Sequence, residues 1–169
     1  FAEDLFFNYR MNYDYAEYQD SLANIPYEKL KTDLDTDAKK LVFWLNVYNV
    51  YAQIHLENNP DDYKNRLKFF SEKFIVVAGK KFSLNKIEHG ILRKSKALAF
   101  RGALPKLFPS KTERELRVQK PDYRLHFALN CGAKSCPPIA YYELLHIDDQ
   151  LDMAAQGFLH QTTKVDTAL

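Results

Sequence analysis

Apolar residues recur along the chain at two spacings, and the spacing assigns the elements. Leu41, Trp44, Leu45, Tyr48, Ala52 and Ile54 follow helical intervals, and Asp35-Thr36-Asp37 supplies an N-cap and an acidic first turn ahead of them. This predicts a long helix over roughly 37–57, stopped by Asn58-Asn59-Pro60, whose wide apolar surface belongs at the centre of a domain. Phe74-Ile-Val-Val-Ala-Gly-Lys-Lys-Phe82 reads as a strand, a turn at Gly79-Lys80 and a short return strand. Ser83 can then cap a helix over about 84–93, with Leu84, Ile87 and Ile91 as its core stripe.

The remaining segments are shorter. The first thirty residues, rich in Tyr, Asn and Asp and broken at Asn24-Ile-Pro26, form a helical or extended approach to the core. Residues 94–123 are basic and proline-punctuated, with one helical candidate near 111–118. The apolar run 125–129 has the length of a buried strand, ended by Gly132 and Pro137-Pro138. A last amphipathic helix over 147–159 turns Leu151, Ala154, Ala155 and Phe158 inward. The pattern predicts an α+β fold with a helical majority and a small antiparallel sheet. The 169 residues are expected to form one domain, and the opening at Phe1 without a methionine and the close at Leu169 without a turn signal lead us to expect a processed or trimmed fragment.

Composition narrows the class. A chain 46% hydrophobic and 27% charged, with no apolar run near the roughly 18 residues of a membrane span, reads as a soluble globular domain without a transmembrane segment. The net charge of +2 hides a division: residues 64–120 hold 16 Lys and Arg against 4 Asp and Glu, while both flanks are acidic. Such a stretch either binds an anion or folds against the acidic ends, and no nucleic-acid motif accompanies it, so no nucleic-acid partner is expected.

Within the long apolar helix, Asn46, Asn49 and Gln53 share one face. Buried amides need partners, so they either serve an oxyanion or an imidazole or hydrogen-bond a neighbouring loop. The two cysteines, Cys131 and Cys136, lie in a turn-rich segment at C-x4-C spacing, which permits a disulfide without demanding one. That spacing is wider than zinc pairs usually show. His126 would be a third ligand with no fourth in view, so neither a metal nor another cofactor is expected. A cysteine here is either a small core residue or a nucleophile. Thiol catalysis needs a thiolate, a base, a group that orients the base, and oxyanion donors. Cys131 would be the nucleophile and His89 the base, with Glu88, Asn46 or Asn49 to orient the ring. Backbone N–H groups around Gly132 would meet the oxyanion, and Lys134 would lower the thiol pKa. On an α-helix Glu88 and His89 splay by about 100°, which argues against a direct bond between them.

Three segments, Val42-Phe-Trp-Leu-Asn-Val-Tyr-Asn-Val50, Ser83-Leu-Asn-Lys-Ile-Glu-His-Gly-Ile-Leu-Arg93 and His126-Phe-Ala-Leu-Asn-Cys-Gly-Ala-Lys-Ser-Cys-Pro-Pro138, resemble in order and wording the domain-of-unknown-function 547 family. The resemblance runs from about Asp35 to Leu159 and marks Trp44, Asn46, Tyr48, Asn49, Glu88, His89, Arg93, Cys131 and Pro137 as motif residues. It implies Cys131 rather than Cys136 as nucleophile, and a likeness to papain- or transglutaminase-like thiol hydrolases with the histidine ahead of the cysteine. The expected activity is a cysteine-dependent hydrolase or acyl transferase on a peptide or amide bond, with Asn49, Trp44, Tyr48, Arg93, Lys134 and Cys136 around the substrate. The alternatives are a thiol/disulfide redox protein or one binding a small thiol such as glutathione, and a non-catalytic binding module. The family also implies an exported or periplasmic location for a bacterial member and a cytoplasmic one otherwise.

Overall fold

The computed structural model describes residues 2–96, 106–130, 132, 136 and 139–162, with side chains described as far as residue 160. Three helices open the chain: α1 (Ala2–Arg10), α2 (Ala16–Asn24) and α3 (Tyr27–Asp33). They send Leu5, Phe6, Leu22 and Leu30 into the core, and Ile25-Pro26 separates α2 from α3. Helix α4 (Asp37–Asn58) follows, with Thr36 as its N-cap accepting from the Lys39 backbone N–H at 3.3 Å. Trp44, Leu45, Val47, Tyr48 and Val50 are all within 1% of complete burial. A helix buried on nearly every side is the axis of its domain, and each such side chain contributes about 1.5–3 kcal/mol of transfer free energy.

A 3-10 turn (Asp62–Lys64) and α5 (Arg66–Ser71) lead to the sheet, in which β1 (Ile75–Val77) pairs antiparallel with β2 (Lys80–Phe82). The connecting turn is Ala78-Gly79, one residue earlier than the sequence suggests, and both residues have positive φ, 50° and 68°. A two-residue hairpin needs that conformation, and alanine adopts it here because α2 holds the turn. The Ala78 and Gly79 N–H groups donate to Leu22 and Ala23 carbonyls at 2.9 and 2.7 Å, which also satisfies the end of α2.

The helix expected over 84–93 is present, with Leu84, Ile87 and Ile91 fully buried and Ser83 Oγ accepting from the Lys86 N–H at 3.2 Å. Its form differs: Lys86–Leu92 is a π-helix, and the Arg93 N–H donates five residues back to the Glu88 carbonyl at 2.8 Å. Helix α6 (Lys111–Leu116) starts at a Ser110/Glu113 capping box. The segment expected as a strand over 125–129 is instead a 3-10 helix, Tyr123–Phe127. Asp122 caps it through the Arg124 N–H at 2.9 Å, and the buried positions are Leu125, Ala128 and Leu129, a helical and not an alternating spacing. Helix α7 (Ile147–Thr162) closes the described chain and packs on this turn, with Phe158 against Phe127 at 5.3 Å. No described helix is long and apolar enough to cross a membrane.

Acidic and basic segments meet in several places. Asp37 accepts from the Gln119 and Lys120 N–H groups at 2.8 Å each, Tyr27 donates to Glu115 at 2.8 Å, and Lys40 reaches the Arg117 carbonyl at 3.1 Å. Part of the basic middle is therefore folded against the acidic N-terminal third.

Candidate functional site

The polar stripe of α4 faces the chain that carries the third motif. Asn46 Nδ2 donates to the Tyr142 carbonyl at 2.8 Å, and its Oδ1 accepts from the Tyr142 N–H at 2.9 Å. Asn49 Nδ2 reaches the Ala128 and Ala140 carbonyls at 3.0 and 3.3 Å, and its Oδ1 accepts from the Asn130 N–H at 3.0 Å. Gln53 Nε2 donates to Asn130 Oδ1 at 3.1 Å, and that oxygen also accepts from the Gly132 N–H at 2.9 Å. All three amides are buried. Asn46 and Asn49 meet backbone groups as a strand partner would, Gln53 holds the Asn130 side chain, and together the three fasten both ends of the segment 128–142 to α4.

Asn130, the residue before Cys131, is thus the hub of that anchoring, a role that no spacing in the sequence announces. Gly132 sits beside it with φ +79°, and a β-carbon there would meet Leu56 Cδ2 at 2.9 Å and the Tyr63 ring at 3.6 Å. Gly132 accordingly rests on Leu56 and Tyr63 by close backbone approach. The Tyr63 hydroxyl is buried without a hydrogen-bond partner among the described residues.

The second motif supplies an ionisable cluster. Glu88 Oε1 stands 3.7 Å from His89 Nε2, beyond hydrogen-bond range but close, because the wider π-turn reduces the angular step between neighbours. Arg93 joins the group: Nη1 is 3.3 Å from Glu88 Oε1 and 3.5 Å from His89 Nδ1, and Nη2 donates to His126 Nε2 at 2.6 Å. The neutral His89 tautomer that suits both neighbours carries its proton on Nε2, toward Glu88, and its lone pair on Nδ1. Burial holds the His89 pKa below the usual 6.5, with Glu88 opposing and Arg93 and His126 reinforcing the shift. Burial and then Arg93 lower that of His126 as well, at the rim of the cluster. Both rings are therefore neutral bases at neutral pH. Tyr48, almost wholly buried, has its pKa raised by burial and then by the nearby Glu88 charge.

The remaining candidates fall in different places. Trp44 is fully buried between Phe43 and Phe82, each ring 5.0 Å away, so in this conformation it is core. Cys136 is half-buried and disulfide-bonded. Cys131, Lys134 and Pro137 lie outside the described residues. His126 enters the cluster although the sequence offered it only as a zinc ligand; its place in the third motif was the available signal.

The architecture is a helix-rich α+β domain in which a central helix anchors one motif by amides while a π-helix presents a Glu-His-Arg cluster. The chain belongs to the family described as "Protein of unknown function, DUF547", whose model matches residues 32–159 and so spans all three motifs. No curated protein matches the chain, and no solved structure does.

Proposed function

We propose that this domain performs thiol chemistry at the loop following Asn130, as a cysteine-dependent hydrolase or acyl transferase acting on a peptide or amide bond. The observation that carries the reading is the setting of His89: a half-buried imidazole, its pKa lowered by burial, with the Glu88 carboxylate 3.7 Å from Nε2 and Arg93 Nη1 3.5 Å from Nδ1. In the proposed reaction Arg93 Nη1, 3.5 Å from Nδ1 of His89, gives way, Nδ1 takes the Cys131 proton, and the thiolate adds to the carbonyl carbon. The carbon–nitrogen bond breaks as the imidazolium returns a proton to the leaving amine, which leaves a thioester. Water, or an amine acceptor, then resolves it with His89 again as base. Glu88 steadies the imidazolium, and Arg93 fixes the ring while keeping it neutral at rest. The anchoring of both ends of 128–142 by Asn46 and Asn49 supports a loop held for chemistry, since positioning requires rigid supports.

A second reading is favoured by one observation. Cys136 is in a disulfide, and the sequence has one other cysteine, Cys131. A thiol/disulfide redox role, or a disulfide that holds the nucleophile inactive until it is reduced, would follow from their pairing. Iodoacetamide labelling with peptide mass mapping separates the readings. For the hydrolase reading, reduced protein labels first at Cys131 near neutral pH. Preferential labelling of Cys136, or of neither residue after reduction, would remove the nucleophile assignment.

A further inference from the structure

A second cluster lies at the C-terminal end of α4, and none of its members belongs to the three motifs. A ring nitrogen of His55, a carboxylate oxygen of Asp62 and one of Glu72 lie within 4.8 Å of one another. We propose that these three residues form a binding site for a divalent transition-metal ion of the Zn2+ class. The independent observation is His55 itself, 5% exposed, whose Nε2 is buried without a hydrogen-bond partner among the described residues.

The imidazole is held in place for ligation. It stacks on Phe74 at 4.0 Å and 12° and leans on Phe69 at 4.8 Å, while Asn59 Nδ2 lies 3.3 Å from Nδ1. Ligation through Nε2 puts the ring proton on Nδ1, and Asn59 meets it by turning its amide so that the oxygen accepts. Metal-bound histidines usually have such an outer partner. One imidazole and two carboxylates suit Zn2+ or Mn2+, with open positions left for water. Donors about 2.0–2.2 Å from one ion stand at most about 4.4 Å apart, so a small inward turn of the exposed Glu72 completes the set. Lys68 Nζ, 2.7 Å from Asp62 Oδ1, is the cation now neutralising the site, and its half-exposed side chain can leave. The ligands come from the end of α4, a 3-10 turn and the residue after α5, so no short sequence spacing reveals them.

The bound ion would tie the segment after α4 to that helix. The test is Zn2+ titration of metal-stripped, iodoacetamide-treated protein, which leaves no thiolate to compete, followed by calorimetry and melting, with Co2+ absorption as a second readout. Stoichiometric binding that raises the melting temperature is expected, with affinity at least tenfold weaker in Glu72→Gln and in Asp62→Asn, and tighter in Lys68→Ala. His55→Phe, which keeps the stacked ring, should abolish the Co2+ spectrum. Both carboxylate variants are exposed or half-exposed substitutions that leave the core untouched. Zn2+ affinity equal to that of the unaltered protein in both, or no Zn2+ effect on the unaltered protein, would overturn the proposal.

Discussion

Gly90 shows how closely the site helix is packed from below. A β-carbon there would stand 2.6 Å from Glu113 Oε1, and Glu113 cannot give way easily: it is 3% exposed, accepts from the Ser110 N–H at 2.6 Å and is paired with Lys106 at 3.1 Å. Burial alone would raise the Glu113 pKa, but the Ser110 backbone and Lys106 together hold it below the usual carboxylate value. Gly90→Ala should therefore cost about 1–3 kcal/mol through overpacking and disturb the adjacent His89. A denaturant melt measures the cost; a neutral substitution would mean that Glu113 yields at no expense. At this scale His89, Glu88 and Arg93 were legible as candidates from their motif, whereas the 3.7 Å approach of Glu88 was not. It depends on a π-turn, which has no sequence signature comparable to a cap or a turn glycine. Cys131 and Lys134 remain assignments from the sequence, outside the described residues.

Among the elements, α4 was the most legible and the 125–129 segment the least. A capping threonine, an acidic first turn and an Asn-Asn-Pro stop bound α4, and its observed limits, Asp37–Asn58, differ by one residue at the far end. The run Leu-His-Phe-Ala-Leu looks like a strand by composition, yet its buried members, Leu125, Ala128 and Leu129, lie on one helical face, and the Asp122 cap starts the turn. Similarly, the hairpin was visible but its turn residue was not, since Ala78 takes positive φ only because α2 binds the turn. The amide stripe was legible as a demand for partners, and the partners came from tertiary structure. Asn49→Leu would strand the Asn130 N–H and the Ala140 carbonyl and leave the Ala128 carbonyl only the Tyr142 hydroxyl at 3.4 Å, and each unsatisfied buried group costs about 1–3 kcal/mol. The expected result is a loss of several kcal/mol, with faster hydrogen exchange across 128–142. A melt with unchanged exchange in that segment would show that the loop is held by other means.

Across the whole molecule, the neutral histidines tie stability to pH with a definite sign. His89 and His126 have folded pKa values below the ordinary 6.5. Below pH 6.5 the unfolded chain takes up protons that the folded cluster resists, so stability declines from pH 6.5 until the folded values are passed, and nothing is lost above it. The carboxylates Glu113 and Asp122 have lowered values and contribute in a separate window, losing stability only as pH falls below their ordinary 4.5 and 3.8. Melting temperatures between pH 7.5 and 5 should therefore fall, and less steeply in His126→Gln. A profile flat through that interval, or equally steep in the variant, would mean that the cluster accepts the proton without cost.

The proposed thiol chemistry rests on His89 serving Cys131, and the pH dependence of Cys131 alkylation tests it most directly. In reduced protein the unaltered chain should react through a thiolate formed below the ordinary cysteine value of about 8.5. His89→Ala should move that profile to higher pH and slow labelling at pH 7, with a melting temperature that shows the domain still folded. Superimposable alkylation profiles for the two proteins, with only the melting temperature changed, would contradict the account and leave His89 a structural residue.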